Sequence, residues 1–286
     1  MRWRRGQSSD HVIDARGRRA SGLGVKAGLP AIVIAIVAVL LGGNLGGGGP
    51  GSSGYPAIDD ILGQLGGAAP PPVEADTQPA DDELEDFMRF VVDDVQATWA
   101  DLFAADEASY EPASLVLFTD SVQTGCGPAT SAVGPFYCPA DRLAYIDLGF
   151  YRELRDRFGA PGDFAQAYVI AHEIGHHVQN LLGASAEANQ HRDDNRWSIA
   201  LELQADCYAG VWGHFAFADG VLEDGDLQEG LDAAAAVGDD RIQSQAGDDV
   251  SPETWTHGSS EERAQWFRAG FDTGNPDACD TFAGLR

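Results

Sequence analysis

The sequence predicts an α+β fold with a helical majority and a small early β-sheet, preceded by a single transmembrane helix and a flexible linker. Three observations lead to this prediction. An uncharged apolar segment lies near the N-terminus, a tract rich in glycine and proline follows it, and apolar residues spaced three and four apart dominate the remainder. Short runs of strand character occur early in that remainder, before the helices take over.

The first of these elements is the apolar segment of residues 27–45, which contains no charged side chain. As a helix it would be about 28 Å long, close to the thickness of the bilayer hydrocarbon. We predict a single-pass transmembrane helix, with a cleaved signal peptide and a buried core helix as the alternatives. Basic residues stay on the cytoplasmic side of a membrane. We therefore expect a basic cytoplasmic N-terminus over residues 1–26, an extracytoplasmic main domain and a location in the cell membrane.

The next segment is predicted to be a flexible linker over residues 46–80. Residues 42–80 hold 11 glycines and 6 prolines and too few apolar side chains for a packed core. The main domain should therefore cover residues 81–286. Its first helix is predicted at residues 81–105 and its strands at 115–118 and 144–148. Later helices are predicted at residues 150–158, 161–183, 186–218, 226–236 and 259–271.

The charge of the chain excludes one class of partner. The 286 residues carry 18 basic and 45 acidic side chains, a net charge of −27 at pH 7. Residues 1–26 hold seven basic and two acidic side chains, a net charge of +5, which leaves −32 for the other 260 residues. Such a domain would repel a phosphate backbone. We expect no nucleic-acid partner.

Four cysteines are present, and an extracytoplasmic domain permits disulfides. Of the three connectivities we favour Cys126 with Cys138 and Cys207 with Cys279, because the first pair brackets a stretch rich in glycine and proline that suits a closed loop. Four buried free thiols are the alternative. The chain contains no Cys-x-x-Cys pair, so a thiolate zinc site has no support.

The strongest chemical signal is a His-Glu-x-x-His motif inside the predicted helix 161–183. Because residues four apart share one face of a helix, His172 and His176 can bind a single zinc ion. Glu173 is turned by about 100° from His172, which keeps it beside the bound water rather than on the metal. The alternative is a pair of histidines that pack without metal. An extended His-Glu-x-x-His-x-x-Gly-x-x-His pattern is absent, because Gln179 and Leu182 occupy its glycine and third histidine positions.

A catalytic zinc site needs a third protein ligand and an open fourth position for water. The next predicted helix offers Glu202 and Asp206, which lie one turn apart on one face. We predict that Glu202 binds the metal and that Asp206 orients a histidine ligand through a hydrogen bond. The alternative is two solvated acids. His191 and His214 are weaker candidates for the third ligand.

A turn that enters the last predicted helix supplies two further candidates. His257 could stabilise the oxyanion of a tetrahedral intermediate, and Arg263 could pair with Asp206. A loop histidine that is merely exposed is the alternative reading of His257. His177, adjacent to the motif, is expected to support the site or to be solvated rather than to bind the metal.

Several segments together resemble the bacterial putative neutral zinc metallopeptidase family, the YpfJ-like proteins. These are the Met-Arg-Trp start and residues 12–17, 126–141, 171–180, 202–210 and 256–260. The resemblance covers nearly the whole chain apart from the linker. It implies a zincin-like metallopeptidase domain of the gluzincin kind, anchored to a membrane and acting on a peptide or protein substrate. One Zn²⁺ per chain would be held by His172, His176 and Glu202, with Glu173 as general base. The segment from His257 to Arg263 also resembles the tail motif of integral-membrane gluzincins.

The sequence therefore predicts a zinc metallopeptidase in which Glu173 takes a proton from the attacking water and passes it to the leaving amine. A metal-stabilised binding or scaffold domain at the cell surface is the alternative, and it would require four protein ligands that close the site. A hydrolase acting on a non-peptide amide would use the same residues, because motif geometry specifies the reaction and not the substrate.

Overall fold

The computed structural model describes residues 1–6, 9–16 and 79–286. Within these residues the fold is a mostly helical α+β arrangement. Its strands are β1 (Val12–Asp14), β2 (Ser114–Phe118), β3 (Ser121–Thr124), β4 (Gly127–Thr130), β5 (Phe136–Cys138) and β6 (Leu143–Asp147). Its helices are α1 (Pro79–Ala105), α2 (Gly149–Asp156), α3 (Asp163–Leu182), α4 (Ala184–Asn189), α5 (Asn195–Ala218), α6 (Asp226–Ala236), α7 (Asp239–Ala246) and α8 (Ser260–Thr273).

A four-stranded sheet in the order β1-β2-β6-β5 forms the smaller layer. β1, β2 and β6 are parallel, and β5 runs antiparallel to β6. Side chains alternate across β2, so Leu115 and Leu117 enter the main core while Val116 and Phe118 enter a second cluster with Phe136. Both faces of β2 are therefore covered, which explains its uninterrupted apolar sequence. β3 and β4 form a separate hairpin.

The helical layer is built around α5, which packs against both α3 and α8. Glycines permit the contact with α8: a Cβ at Gly270 would lie 1.9 Å from the carbonyl oxygen of Cys207, and one at Gly210 would lie 2.0 Å from that of Phe267. The α8 helix begins with a capping box, in which Ser259 and Glu262 exchange hydrogen bonds with each other's backbone N–H. These contacts hold α8 against α5, the helix that also packs on α3.

Most of the predicted helices are confirmed with shifted ends. The predicted segment 186–218 is divided into α4 and α5, and α7 has no counterpart in the prediction. Both favoured disulfides are confirmed, since Cys126 is bonded to Cys138 and Cys207 to Cys279. The second disulfide ties α5 to the segment after α8.

The predicted membrane anchor requires correction. No helix in the described part of the chain is long and apolar enough to cross a bilayer, and residues 27–45 lie outside that part, as does the predicted linker as far as residue 78. The physical reason lies in β1, which is hydrogen-bonded beside β2 in one sheet. A chain that crossed a bilayer once between these strands would place them on opposite sides. The predictions of a single-pass protein located in the cell membrane, of membrane association through an N-terminal helix and of a fold class that includes a transmembrane helix are therefore wrong.

Candidate active site

Two neighbouring helices bring the His-Glu-x-x-His motif and Glu202 together. His172 and His176 lie one turn apart on α3, and Glu202 lies on α5. Nε2 of His172 is 3.2 Å from Oε2 of Glu202, and Nε2 of His176 is 3.5 Å from Oε1. The three side chains are buried, and one ligand atom from each lies within 4.8 Å of the others. Two imidazole nitrogens and one carboxylate oxygen are donors that zinc prefers, so these residues fit a zinc ion.

A glycine inside the motif allows this convergence. Gly175 faces α5, and a Cβ at that position would lie 3.1 Å from the carbonyl oxygen of Ala205. This contact would be tighter than an ordinary van der Waals contact, so a side chain here would require the facing backbone of α5 to shift. The motif glycine therefore permits the close approach of α3 and α5.

Nδ1 of each imidazole makes a hydrogen bond with a neighbouring side chain. Nδ1 of His172 is 2.9 Å from Oδ1 of Asp206, and Nδ1 of His176 is 2.8 Å from Oε1 of Gln179. Gln179 in turn donates through Nε2 to the carbonyl oxygen of Leu201 on α5. With Nδ1 donating its proton to these acceptors, Nε2 of each ring is directed to Glu202 and can bind a metal.

Protonation of the three side chains follows from burial and mutual contact. Burial opposes ionisation of Glu202, but His176 and His172 outweigh it and hold the pKa of Glu202 well below its ordinary range. Burial lowers the pKa of His176 to about 4, so this imidazole is neutral. Burial also lowers the pKa of His172, but Asp206 outweighs it and raises the value to about 9. A metal bound at His172 must therefore displace a proton.

Asp206 is the centre of a buried network behind the histidines. Arg263 donates to it through Nε at 2.8 Å and through Nη2 at 3.0 Å, and the Tyr168 hydroxyl donates to Oδ1 at 2.5 Å. The structure thus brings Asp206 and Arg263 into contact, as the sequence predicts. Asp206 and Arg263 are almost fully buried. Their opposite charges and several hydrogen bonds offset the cost of removing both from water.

His257 is held at the cavity by Asp239, the first residue of α7. Nδ1 of His257 is 3.0 Å from Oδ1 of Asp239, and Oδ2 accepts backbone N–H bonds from Thr256, His257 and Gly258. Burial opposes the charge of Asp239, but the contacts with His257 and with the backbone lower its pKa. His257 is buried rather than exposed. Because Nδ1 is occupied, Nε2 is the nitrogen left for a ligand in the cavity.

Glu173 lies on the wall of the same cavity as His257. Its side chain is buried, and Oε2 has no hydrogen-bond partner among the described residues. Burial, with a smaller contribution from Glu202, raises the pKa of Glu173 to about 7 against the opposing effect of His172. An unpaired buried carboxylate oxygen is costly, and it is expected where a ligand or water completes the site.

The other histidines named from the sequence lie elsewhere. His177 is buried between the Tyr137 hydroxyl and the carbonyl oxygen of Glu111, at 3.0 Å and 2.6 Å. His191 stacks on Trp197, and Nδ1 of His214 donates to a carbonyl oxygen at the end of α8. None of the three belongs to a group that could hold a metal in the described part of the chain.

A second group of three acidic side chains contains no imidazole. It consists of Asp163, Asp226 and Glu229. The Met1 amine lies 2.9 Å from Asp163 and 3.2 Å from Asp226. This group is therefore part of an ion-pair cluster that joins the first residues of the chain to α3 and α6.

The sequence did not identify three residues that contact the site. Tyr168 lies four residues before His172, and Gln179 lies three residues after His176, so helical spacing alone could have indicated both. Asp239 is 18 residues from His257 on a short helix with few apolar side chains. No local pattern points to it.

The chain matches the family model described as "Putative neutral zinc metallopeptidase" over residues 1–282. It is 42% identical over 300 aligned residues to the "Uncharacterized protein YpfJ" of Escherichia coli (strain K12), with 99% of each chain covered. It is also 50% identical over 201 residues to the "Uncharacterized protein Rv2575" of Mycobacterium tuberculosis (strain ATCC 25618 / H37Rv), covering 66% of this chain and 67% of that protein. No solved structure matches.

Proposed function

Since this chain belongs to the putative neutral zinc metallopeptidase family, we propose that it hydrolyses peptide bonds at a zinc ion held by His172, His176 and Glu202. The convergence of these two imidazoles and one carboxylate carries the proposal. Three protein ligands of this kind, with a fourth position for water, are typical of catalytic zinc sites. The cavity beside them gives a substrate access to the same point.

Glu173 is proposed as the general base. When bound, zinc supplies Lewis-acid polarisation of the scissile carbonyl and lowers the pKa of a water molecule. Oε2 of Glu173 makes no hydrogen bond within the described residues, so it can accept the proton of the attacking water. A carboxyl group at this position can take up this proton and return it to the leaving amine.

His257 is proposed to stabilise the oxygen that becomes negatively charged when water adds to the carbonyl. Asp239 fixes the ring through Nδ1, which leaves Nε2 as the ring nitrogen that can meet the developing negative charge. Arg263 has a different role, because its guanidinium is already paired with Asp206. Arg263 and Asp206 orient His172 rather than touch the substrate.

The alternative of a non-catalytic scaffold needs a closed site with four protein ligands. In the described residues the imidazole and carboxylate group around Glu202 has three members. Glu173 adds an unpaired carboxylate oxygen at the cavity wall, which a structural zinc site does not require. The geometry therefore favours hydrolysis.

The test compares zinc content and cleavage in purified full-length protein. An unfolded polypeptide should be cleaved, a chelator should stop cleavage, and added zinc should restore it. Glu173→Gln should retain one zinc per chain and lose at least about 100-fold in cleavage rate. Glu187→Gln is the matched control, because Glu187 is a surface residue paired with Arg286. Cleavage that persists in Glu173→Gln would remove the general base from the proposal.

A further inference from the structure

Five of the apolar side chains that line the cavity containing Glu173 come from the helical part of the fold. They come from α2, from the turn after it, from α3 and from the segment around the start of α7. We call them the apolar lining: Phe150, Phe158, Val169, Val237 and Ile242. Val169 lies one helical turn before Glu173, so the lining begins directly beside the proposed general base.

The apolar lining is braced by hydrogen bonds to two arginines. Nη2 of Arg241 on α7 donates to the carbonyl oxygen of Phe158 at 3.3 Å. Nη1 of Arg263 donates to the carbonyl oxygen of Val237 at 3.1 Å. Arg263 is also the partner of Asp206, so the lining and the proposed metal ligands share one rigid network. The lining is therefore formed before any substrate binds.

Apart from Glu173, which the proposed mechanism assigns to the attacking water, the charged groups that line this cavity are paired. Arg263 is neutralised by Asp206, and Glu202 contacts both imidazoles. A charged substrate side chain placed against the lining would lose its hydration and gain no partner there. An aliphatic or aromatic side chain would instead remove its own surface and that of the lining from water. The cavity volume of about 120 Å³ exceeds by far the space of a single water molecule.

We propose that the apolar lining is a specificity site that takes one bulky aliphatic or aromatic side chain of a polypeptide, adjacent to the bond that is cleaved. This inference rests on the proposed peptidase activity and adds the class of substrate. The occupant is a substrate side chain because the lining is continuous with Glu173 and His257 in a single cavity.

The experiment uses the zinc-loaded full-length protein and hexapeptides of glycine and alanine with one central Leu, Phe, Lys or Asp. Mass spectrometry locates the cleaved bond. Peptides with Leu or Phe should be cut next to that residue with kcat/KM at least about 10-fold above those with Lys or Asp. Equal rates for the four peptides would overturn the inference and leave the proposed peptidase activity standing.

Ile242 provides the discriminating variant, because it lies in the lining and is only partly buried. Ile242→Asp should lower kcat/KM for the Leu peptide by at least about 10-fold and raise it for the Lys peptide. Ile242→Val should keep the preference for Leu. This result would show that the position tolerates a conservative substitution. Val250→Asp is the matched control: Val250 is exposed, outside the cavity, and receives the same charge. Equal effects of the two aspartates would overturn the inference.

Binding to Glu173→Gln gives a readout that does not depend on turnover. Titration calorimetry should show tighter binding of the Leu hexapeptide than of the Asp hexapeptide, and the difference should disappear when Ile242→Asp is added. If wild type cleaves no peptide but this pattern holds, the proposed hydrolysis fails and the apolar binding site stands. If the two hexapeptides bind equally, the inference is overturned.

Discussion

Replacing Asp206 by Asn tests the buried network behind the proposed zinc ligands. Asp206 is fully buried and accepts hydrogen bonds from Tyr168, His172 and Arg263. Asparagine has nearly the same shape but no charge. The variant therefore leaves the guanidinium of Arg263 buried without its main counter-charge and gives Nδ1 of His172 a poorer acceptor.

The expected loss of stability follows from these contacts. Removing one partner of a buried ion pair costs about 3–5 kcal/mol. Oε2 of Glu202 lies 3.8 Å from Arg263 and offsets part of the lost attraction, so we expect about 3 kcal/mol, the lower end of this range. Zinc affinity should fall by about 10–100-fold, because the orientation of His172 is no longer fixed.

The helix that carries Arg263 supplies the control. Arg268 and Asp272 form a pair on α8 with both side chains about half exposed. Such pairs contribute about 0–1 kcal/mol, so Asp272→Asn should be nearly silent. Urea unfolding of the zinc-free proteins measures stability, and competition with a coloured chelator measures zinc affinity. Equal unfolding free energies for the two variants, or unchanged zinc affinity in Asp206→Asn, would refute the assigned role of Asp206.

Three further outcomes are expected. Because the contacts with His257 lower the pKa of Asp239 despite its burial, its stabilising charge is present above about pH 4 and is lost as the pH falls. Asp239→Asn should therefore cost about 1.5–3 kcal/mol in urea unfolding at pH 7 and progressively less below about pH 4; a constant difference would contradict this. Removing the disulfide between Cys207 and Cys279, whose sequence separation is 72, should cost about 4 kcal/mol by chain entropy, and an unchanged melting temperature would count against it. Gly270→Ala should cost at least about 1–3 kcal/mol in thermal unfolding, whereas Gly284→Ala, with open space around it, should not; similar melting temperatures would exclude the close contact of α5 with α8.

Local spacing predicted the central part of the candidate site. His172 and His176 share a helix face because of their spacing alone, and Glu202 and Asp206 do so on the next helix. The disulfide pairing was also predicted, since few alternatives exist for four cysteines. These features depend on residues within one turn of each other or on a short list of choices.

Reasoning from local spacing failed for residues whose contact partners are far away in the sequence. Hydropathy over residues 27–45 favoured a membrane span, yet it holds no information about β1, whose hydrogen-bonding partner lies 103 residues away in the Val12 to Leu115 register. Asp239 was missed for the same reason, because α7 is short and mostly polar and its first side chain is recognised only by its contact with His257.

The sequence by itself determined the types of candidate ligand, their spacing on each helix and the family of the chain. The tertiary structure decided that Glu202 lies within reach of both imidazoles, that Asp239 holds His257 and that an apolar lining adjoins Glu173. Helical periodicity is set by hydrogen bonds between residues four apart, so it can be read along the chain. The distance between α3 and α5 depends instead on the close approach of Gly175 to Ala205, which exists only after the helices have packed.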